Sequence, residues 1–487
     1  MTYNDYFRST SSLAGCDPST YASRLDDPAY APPAIDPRVS ALYDRAWTPS
    51  MMKLASSAEH DDSRDAFLAR VEKEGVGVAG AGLMGISIAA SFVNAGIPVL
   101  SRDVSEDAVA SASERLEREL AALRVNQGQA LAEPEAEAQT RRDLVARYFR
   151  ASTDVAELAK KPVVVESVPE KAKIKAKTYR EIESCATRPL LLLTNTSSLT
   201  IGELAATLPA ESEGRAVSRE RFASFHFFHP ATKRRPVEIA VGEATSPETT
   251  RRAYLLAKRI GRVPFVVGDS HGFLVNRLLQ AYLNEALALV EEGFSADALE
   301  AAAIRWGMEA PPLRIVDEIG CDVSLHSGWS FLKAFPERTV PSHLLPDMVR
   351  EGLLGRKTYR GFYAYASHTP WKNDVSSSPD CEIAKFRDKP FSEGVEPPFE
   401  RLLLATLLEA GRLVEERVVG SLRECDAALV LALGFPATRG GLCYWAFSLG
   451  LKSLLKRCDE LAARNGARFI PPESLRRLAD SLPEIDQ

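Results

Sequence analysis

The stretch 75–103, GVGVAGAGLMGISIAASFVNAGIPVLSRD, constrains the fold more than any other part of the chain. Val76 and Val78 belong to a short apolar strand, Gly80, Gly82 and Gly85 form G-x-G-x-x-G, and a helix of small and apolar residues runs on to Gly96. A second strand, VLSR, ends on Asp103. A bare glycine triplet is weak information. Set between strand and helix and closed by an acid at the usual interval, it predicts a β-turn-α-β unit that binds a dinucleotide. Gly80 permits the tight turn, Gly82 the approach of a pyrophosphate, and Gly85 close packing of helix on strand. The helix N-terminus attracts the phosphates. Asp103 is expected to bind the adenosine ribose and repel a 2′-phosphate, which favours NAD over NADP; Arg102 beside it is a residue type that can accept that phosphate. The competing reading is a glycine turn with no nucleotide.

PVVVES at 162–167, PLLLLTNTSS at 189–198 and VPFVVGD at 263–269 are continuous apolar runs, as expected for parallel strands covered on both faces. The predicted class is α/β: a doubly wound parallel sheet of Rossmann type followed by two related all-helical domains. Ligands lie beyond the carboxyl ends of such strands, which puts Glu170, Asn195, Ser197 and Ser198 at the rim, although a single serine there is more often a helix cap than a ligand. Residues 104–160 read as charged helices on the flank.

Residues 222–241, FASFHFFHPATKRRPVEIAV, hold two further apolar runs, each interrupted by one titratable side chain, His226 and Glu238. A lone carboxylate in such a run would be costly, so Glu238 is expected to accept from one ring nitrogen of His226. That leaves the other nitrogen free to act as a general base. A purely structural His–Glu pair is the alternative. Lys233, Arg234 and Arg235 between the runs would steer an anionic substrate or form a solvated turn.

Beyond about residue 273 the chain reads as helical, with an internal echo. NEALALVEEGFSADALEAAAIRWGMEAPP resembles LEAGRLVEERVVGSLRECDAALVLALGFPATRGG some 125 residues later. The boundaries expected are 1–74 for a partly irregular N-terminal extension, 75–270 for the NAD-binding domain, 271–366 for a first helical domain, 367–396 for a linker and 397–487 for a second, duplicated one.

With 487 residues, 45% hydrophobic and 26% charged, the composition is that of a soluble globular protein of several domains. A net charge of -6 argues against nucleic acid as a partner. No apolar run approaches the ~18 residues of a membrane span. Seven scattered cysteines without C-x-x-C, and a first segment without a secretory pattern, suggest a cytoplasmic protein with no metal site.

In order along the chain, the glycine fingerprint is followed by NTSSL at 195–199, HFFHP at 226–230, VEI at 237–239, GFLVNRLL at 272–279 and GRKTYRGFY at 355–363. Together they resemble the L-3-hydroxyacyl-CoA dehydrogenase family. The second helical region, with GFPATRGG at 434–441, is similar to the C-terminal part of the multifunctional fatty-acid oxidation protein. That protein carries an upstream hydratase domain, for which about 75 residues are too few. The resemblance implies reversible, NAD-linked oxidation of an (S)-3-hydroxyacyl-CoA to the 3-ketoacyl-CoA, as in fatty-acid β-oxidation. It places the catalytic base on His226, its orienting acid on Glu238, and substrate contacts on Ser197 and Asn276. Cofactor contacts fall on Gly80, Gly82, Gly85, Asp103, Glu170, Lys175, Ser197, His229 and Lys357. His229 stands where the family usually has Asn or Ser; imidazole is larger and titrates, which makes His229 a second candidate base.

Association with a thiolase or hydratase of the same pathway is implied as well. Two other functions fit the same residues: oxidation of a free 3-hydroxy acid, and a non-catalytic NAD-binding subunit of an oxidation complex. Finally, the second helical copy is expected to cover the apolar face that shorter family members bury by dimerising, leaving the chain a monomer or weak oligomer.

Overall fold

In a computed structural model, residues 62–210, 214–368, 374–386 and 398–482 are described; most of the expected N-terminal extension lies outside them. They divide into two compact units, one ending at Phe273 and one beginning at Leu274. Among the described residues no helix is long and apolar enough to cross a membrane.

The first unit is built on strands β1 (Val76–Ala79), β2 (Val99–Arg102), β3 (Phe149–Ser152), β4 (Val163–Glu166), β5 (Leu191–Thr194) and β6 (Phe222–Ser224). All pair in parallel, in the order β3-β2-β1-β4-β5-β6. This is the doubly wound Rossmann arrangement, whose strand order reverses between β1 and β4. Helix α1 (Asp62–Glu74) leads into β1, and α2 (Leu83–Asn94) crosses to β2. Helices α3 (Glu106–Ala110), α4 (Ala112–Asn126) and α5 (Pro134–Tyr148) precede β3, and α6 (Val155–Leu158) follows it. Helix α7 (Ala172–Cys185) joins β4 to β5, and α8 (Ile201–Ala205) follows β5. Strands β1, β4 and β5 are buried along their whole length, as helices on both faces require. Val78, Ile86, Phe92, Leu193 and Phe225 form part of the core, each side chain contributing about 1.5–3 kcal/mol on burial.

Strand β3 lies within the region read as purely helical. It is a sheet-edge strand whose sequence, FRAS, has a single buried residue, so no apolar run announces it.

A second, three-stranded sheet holds β7 (His226–Phe227), β8 (Pro236–Val241) and β9 (Val263–Gly268). Strand β7 runs antiparallel to β8, and β9 parallel to it. VPFVVGD is therefore a strand, but it extends this small sheet rather than the large one. Helix α9 (Pro247–Arg259) connects β8 to β9. Ser224 at the end of β6 donates its hydroxyl to the Glu238 carbonyl at 2.9 Å and accepts the Ala240 N–H at 2.6 Å, tying the large sheet to β8.

The second unit contains helices α10 (Val275–Glu292), α11 (Ala296–Trp306), α12 (Pro312–Ile319), α13 (Cys321–Ala334) and α14 (Leu344–Arg350). A small hairpin, β10 (Ala364–Tyr365) and β11 (Val375–Ser377), and helix α15 (Pro379–Ile383) follow. Five more helices then repeat the pattern: α16 (Glu400–Glu415), α17 (Leu422–Leu433), α18 (Leu442–Ser448), α19 (Leu451–Asn465) and α20 (Glu473–Ser481).

The repeat extends to single hydrogen bonds. Helices α11 and α17 both end on a left-handed glycine, Gly307 and Gly434. Each carries an acid that accepts two N–H groups at the start of the next helix. Glu300 takes Leu313 and Arg314 at 2.9 and 3.2 Å, and Asp426 takes Cys443 and Tyr444 at 2.7 and 3.0 Å. Those groups have no partner within their own helix, so a carboxylate there satisfies them and complements the helix dipole.

Two details depart from the sequence reading. The unit is not wholly helical, because β10 and β11 are too short to show a period. The stretch 367–396, expected as a linker, includes β11 and α15. Its composition is polar, but Asp380 accepts the Ala296 N–H at 2.7 Å and Ile383 is fully buried.

Candidate active site

Three features converge beyond the carboxyl ends of β1, β4 and β5 and around the short sheet. The first is the turn between β1 and α2. Gly80 adopts a φ of +107°, and a Cβ there would sit 2.5 Å from the Ser167 carbonyl oxygen. A Cβ on Gly85 would meet the Gly80 carbonyl oxygen at 1.9 Å, so the helix can approach the turn only without one. Among the described residues, a Cβ on Gly82 would meet nothing within 4 Å: this is the open side of the turn. Helix α2 starts there with no side-chain cap and no acid in its first turn, leaving backbone N–H groups for an anion. Asp103, just past β2, accepts the Ala81 N–H at 2.7 Å and the Ser105 N–H at 3.0 Å. Arg102 is engaged elsewhere, donating to the Thr153 carbonyl at 3.2 Å and pairing with Glu181 at 3.5 Å. An open glycine turn, an uncapped helix start and a fixed acid fit the pyrophosphate and ribose of NAD.

The second feature is the loop after β5. Glu170 accepts on one oxygen the Thr196 hydroxyl at 2.6 Å, the Ser197 N–H at 2.9 Å and the Ser198 N–H at 3.0 Å. Its other oxygen lies 3.1 Å from Lys175 Nζ. Burial alone would raise its pKa, but Lys175 and these donors outweigh burial and bring it to about 2. Lys175 is almost wholly buried and also meets Glu166 at 2.8 Å, while Glu166 accepts from Tyr179 and Thr194, each at 2.8 Å. Burial works against the Lys175 charge, yet the two carboxylates hold its pKa above the ordinary value. The loop carrying Ser197 is thus clamped from below.

The third feature is the pair on β7 and β8. His226 and Glu238 are register partners, and Nδ1 of the ring lies 2.8 Å from the Glu238 carboxylate. Glu238 is completely buried and His226 nearly so, with Phe228 edge-on to the imidazole at 4.6 Å between centroids. With Nδ1 donating to the carboxylate, Nε2 is an acceptor, the arrangement a general base needs. His229 is exposed and stands outside this pair. Of the three basic residues in the following loop, Arg234 is buried, and Lys233 and Arg235 are half-buried.

The two remaining expected residues belong to the second unit. Asn276 is half-buried in the first turn of α10, and Lys357 sits in a short 3-10 turn, paired with Asp322.

Two side chains that support the pair were not assigned this role from sequence. Asn195 accepts the Phe227 N–H on its side-chain oxygen at 2.8 Å, locking the residue after His226 to the end of β5. Arg262, 3% exposed, donates to the Ala231 and Arg234 carbonyls at 2.7 and 2.8 Å and lies over the Phe227 ring. Burial, with a smaller effect from Arg235, pushes its pKa down to about 9. NTSS points to Asn195 only as a rim residue, and an arginine opening a strand looks like any surface arginine.

A dinucleotide-binding parallel sheet joined to a buried histidine–carboxylate pair defines an NAD-dependent dehydrogenase. The family model described as 3-hydroxyacyl-CoA dehydrogenase, NAD binding domain, matches residues 75–270, and that of the C-terminal domain matches 272–365. The chain belongs to the 3-hydroxyacyl-CoA dehydrogenase family, and NAD is its cofactor. Among solved structures it is similar to FadB2 of M. tuberculosis, with 30% identity over 60% of this chain and 98% of the other and a TM-score of 0.54. It is also similar to the (S)-3-hydroxybutyryl-CoA dehydrogenase PaaH1 of Ralstonia eutropha, with 29% identity over 60% and 99% and a TM-score of 0.53. A 3-hydroxybutyryl-CoA dehydrogenase of Escherichia coli shares the fold over 83% of this chain and 98% of its own, with 24% identity and a TM-score of 0.67. That share is too large to be held by residues 75–365 alone.

Proposed function

We propose that the protein interconverts (S)-3-hydroxyacyl-CoA and 3-ketoacyl-CoA, the dehydrogenation of fatty-acid β-oxidation. The observation that carries this reading is the 2.8 Å contact between His226 Nδ1 and Glu238 inside an NAD-binding frame. His226 takes the C3 hydroxyl proton on Nε2, and Glu238 stabilises the imidazolium that forms. Bound NAD supplies the acceptor for the hydride that leaves C3. Ser197, held by the Glu170 clamp, and Asn276 donate to the substrate oxygen as charge develops on it, a role worth about 3–4 kcal/mol per well-placed donor. Gly80, Gly82, Gly85 and Asp103 hold the pyrophosphate and ribose. Glu170, Ser197, His229 and Lys357 are assigned to the nicotinamide side, with Lys175 holding Glu170 from within the protein. In the reverse direction His226 returns its proton to the ketone oxygen. The family membership and the similarity to PaaH1, whose name states a hydroxybutyryl-CoA substrate, favour the thioester over a free 3-hydroxy acid.

The test is an assay of NADH oxidation with acetoacetyl-CoA, longer 3-ketoacyl-CoA thioesters and free acetoacetate. Turnover of the thioesters at least about a hundredfold above the free acid supports the proposal. Preference for the free acid, or no turnover of either, overturns it.

A further inference from the structure

The two halves of the second unit differ at one place. In the first half, Asp380 of α15 occupies the start of α11. Its carboxylate accepts the Ser295 hydroxyl and the Ala296 N–H, the latter at 2.7 Å, and Ser295 in turn caps the helix by accepting from Ala298 at 3.0 Å. Ile383 beside it is fully buried, and the turn that follows packs on α14.

The second half has the same helices without the occupant. Ser421 stands where Ser295 does, at the start of α17, yet its hydroxyl caps nothing. The residue is 2% exposed, and among the described residues its hydroxyl has no hydrogen-bond partner. It faces a cavity of about 300 Å³ between α17 and α20, the counterparts of α11 and α14. The wall is apolar, made by Val414, Leu422, Phe447, Leu475 and Leu478, with Arg423 and Arg477 also lining it. Among the described residues, no segment from elsewhere fills this place as Asp380 and Ile383 fill the first; the helix's own Glu424 turns back to the Gly420 N–H at 2.8 Å and is not among the residues lining the cavity.

We infer that this cavity binds an aliphatic monocarboxylate. The carboxylate takes the Ser421 hydroxyl and the N-terminus of α17, as Asp380 does in the other half, with the two arginines supplying positive charge. The chain lies along the leucines and Phe447. The wall is mostly apolar, which disfavours a multiply charged ligand, and the volume, at the low end for small-ligand sites, suits a chain of medium length. The inference rests on the duplicated helices and is independent of the proposed reaction.

Octanoate titrated into the full-length protein by isothermal calorimetry tests it. One saturable site per chain is expected, weakened about tenfold by Ser421→Ala and by Arg477→Glu. Octanol, without the head, and acetate, without the chain, should each bind at least tenfold more weakly. Ser421 caps nothing, so its alanine variant should keep the wild-type circular dichroism and melting temperature. The absence of saturable binding overturns the inference, as does binding unchanged in both variants. So does binding that appears only after residues 483–487 are removed, which would assign the cavity to the chain's own end.

Discussion

Arg277 and Arg401 occupy the same position on two helices packed against each other, α10 and α16, and each reaches the acids of the other helix. Arg277 donates to Glu409 at 2.7 Å and Glu416 at 2.6 Å; Arg401 donates to Glu285 at 2.8 Å and Glu292 at 2.6 Å. The intervals from Arg277 to Glu285 and Glu292 are those from Arg401 to Glu409 and Glu416. Each arginine also lies over a phenylalanine ring, Phe335 and Phe469. Such reciprocity is what a two-fold dimer interface shows, here within one chain.

The pairs are buried and shared: Glu285, 1% exposed, also accepts from Arg468 at 2.8 Å. Arg401→Ala therefore removes one of its two partners and should destabilise the helical unit by about 1.5–3 kcal/mol, the weight of a hydrogen bond to a charged group. Glu285→Leu, which takes the acid from both arginines, should cost more. Denaturant unfolding followed by circular dichroism measures both. A single mutant as stable as the wild type would mean that the pair carries no energetic weight.

The same symmetry predicts the oligomeric state. With α16 already covering α10, the full-length protein should be folded and active without self-association. Removing everything after residue 390 exposes α10 and should give a dimer or an aggregate. Light scattering on the two proteins decides; a truncated chain that stays monomeric and soluble contradicts the prediction.

Cofactor choice follows from Asp103 and Arg102. Asp103 is fixed by the Ala81 and Ser105 N–H groups, and Arg102 is already paired with Glu181. NAD should therefore be preferred over NADP, by about tenfold or more in kcat/KM, since one like-charge contact is worth at least ~1.4 kcal/mol at such a site. Freeing Arg102 by Glu181→Ala should narrow the preference. Equal values for the two cofactors in the wild type would place Arg102 in control.

The parts legible in sequence are those where one residue type meets one backbone demand. The glycine turn reads directly, because a Cβ at Gly80 or Gly85 collides with backbone. The pairing of His226 with Glu238 reads from the cost of an unpartnered carboxylate in an apolar run. The helical echo reads from repeated acids and glycines. Strand β3 was hidden because an edge strand needs little apolar sequence, and α15 because a single isoleucine anchors it. Asn195 and Arg262 act through backbone carbonyls and N–H groups, whose partners only the folded chain reveals.

The proposed base is His226 rather than His229, a choice supported by its burial and its contact with Glu238. His226→Gln should lower kcat about 10²–10⁴-fold with little change in NAD affinity. Glu238→Gln should lower kcat less and leave NAD binding intact, since the ring keeps its place but loses the charge that stabilises imidazolium. His229→Asn should be mild. A larger loss from His229→Asn than from His226→Gln in steady-state assays would reverse the assignment.

Acid should weaken the fold through Glu170. Burial acts to raise the pKa of Glu170, but Lys175, the Thr196 hydroxyl and the Ser197 and Ser198 N–H groups overcome it and bring it to about 2. A carboxyl whose folded pKa lies below its unfolded value adds stability that is complete above the unfolded pKa, near 4.5, and is lost as pH falls towards 2. Glu170→Gln cannot titrate. The stability gap between wild type and Glu170→Gln should therefore be widest and flat above about pH 5 and shrink steadily below it. Urea unfolding of both proteins from pH 7 to pH 3 measures the gap. Because Glu170 stays ionised over the working range, any acid limb in the kcat/KM profile above pH 5 should persist in the variant. A gap that stays constant down to pH 3 would mean that Glu170 is held no more tightly in the folded protein than in the unfolded chain.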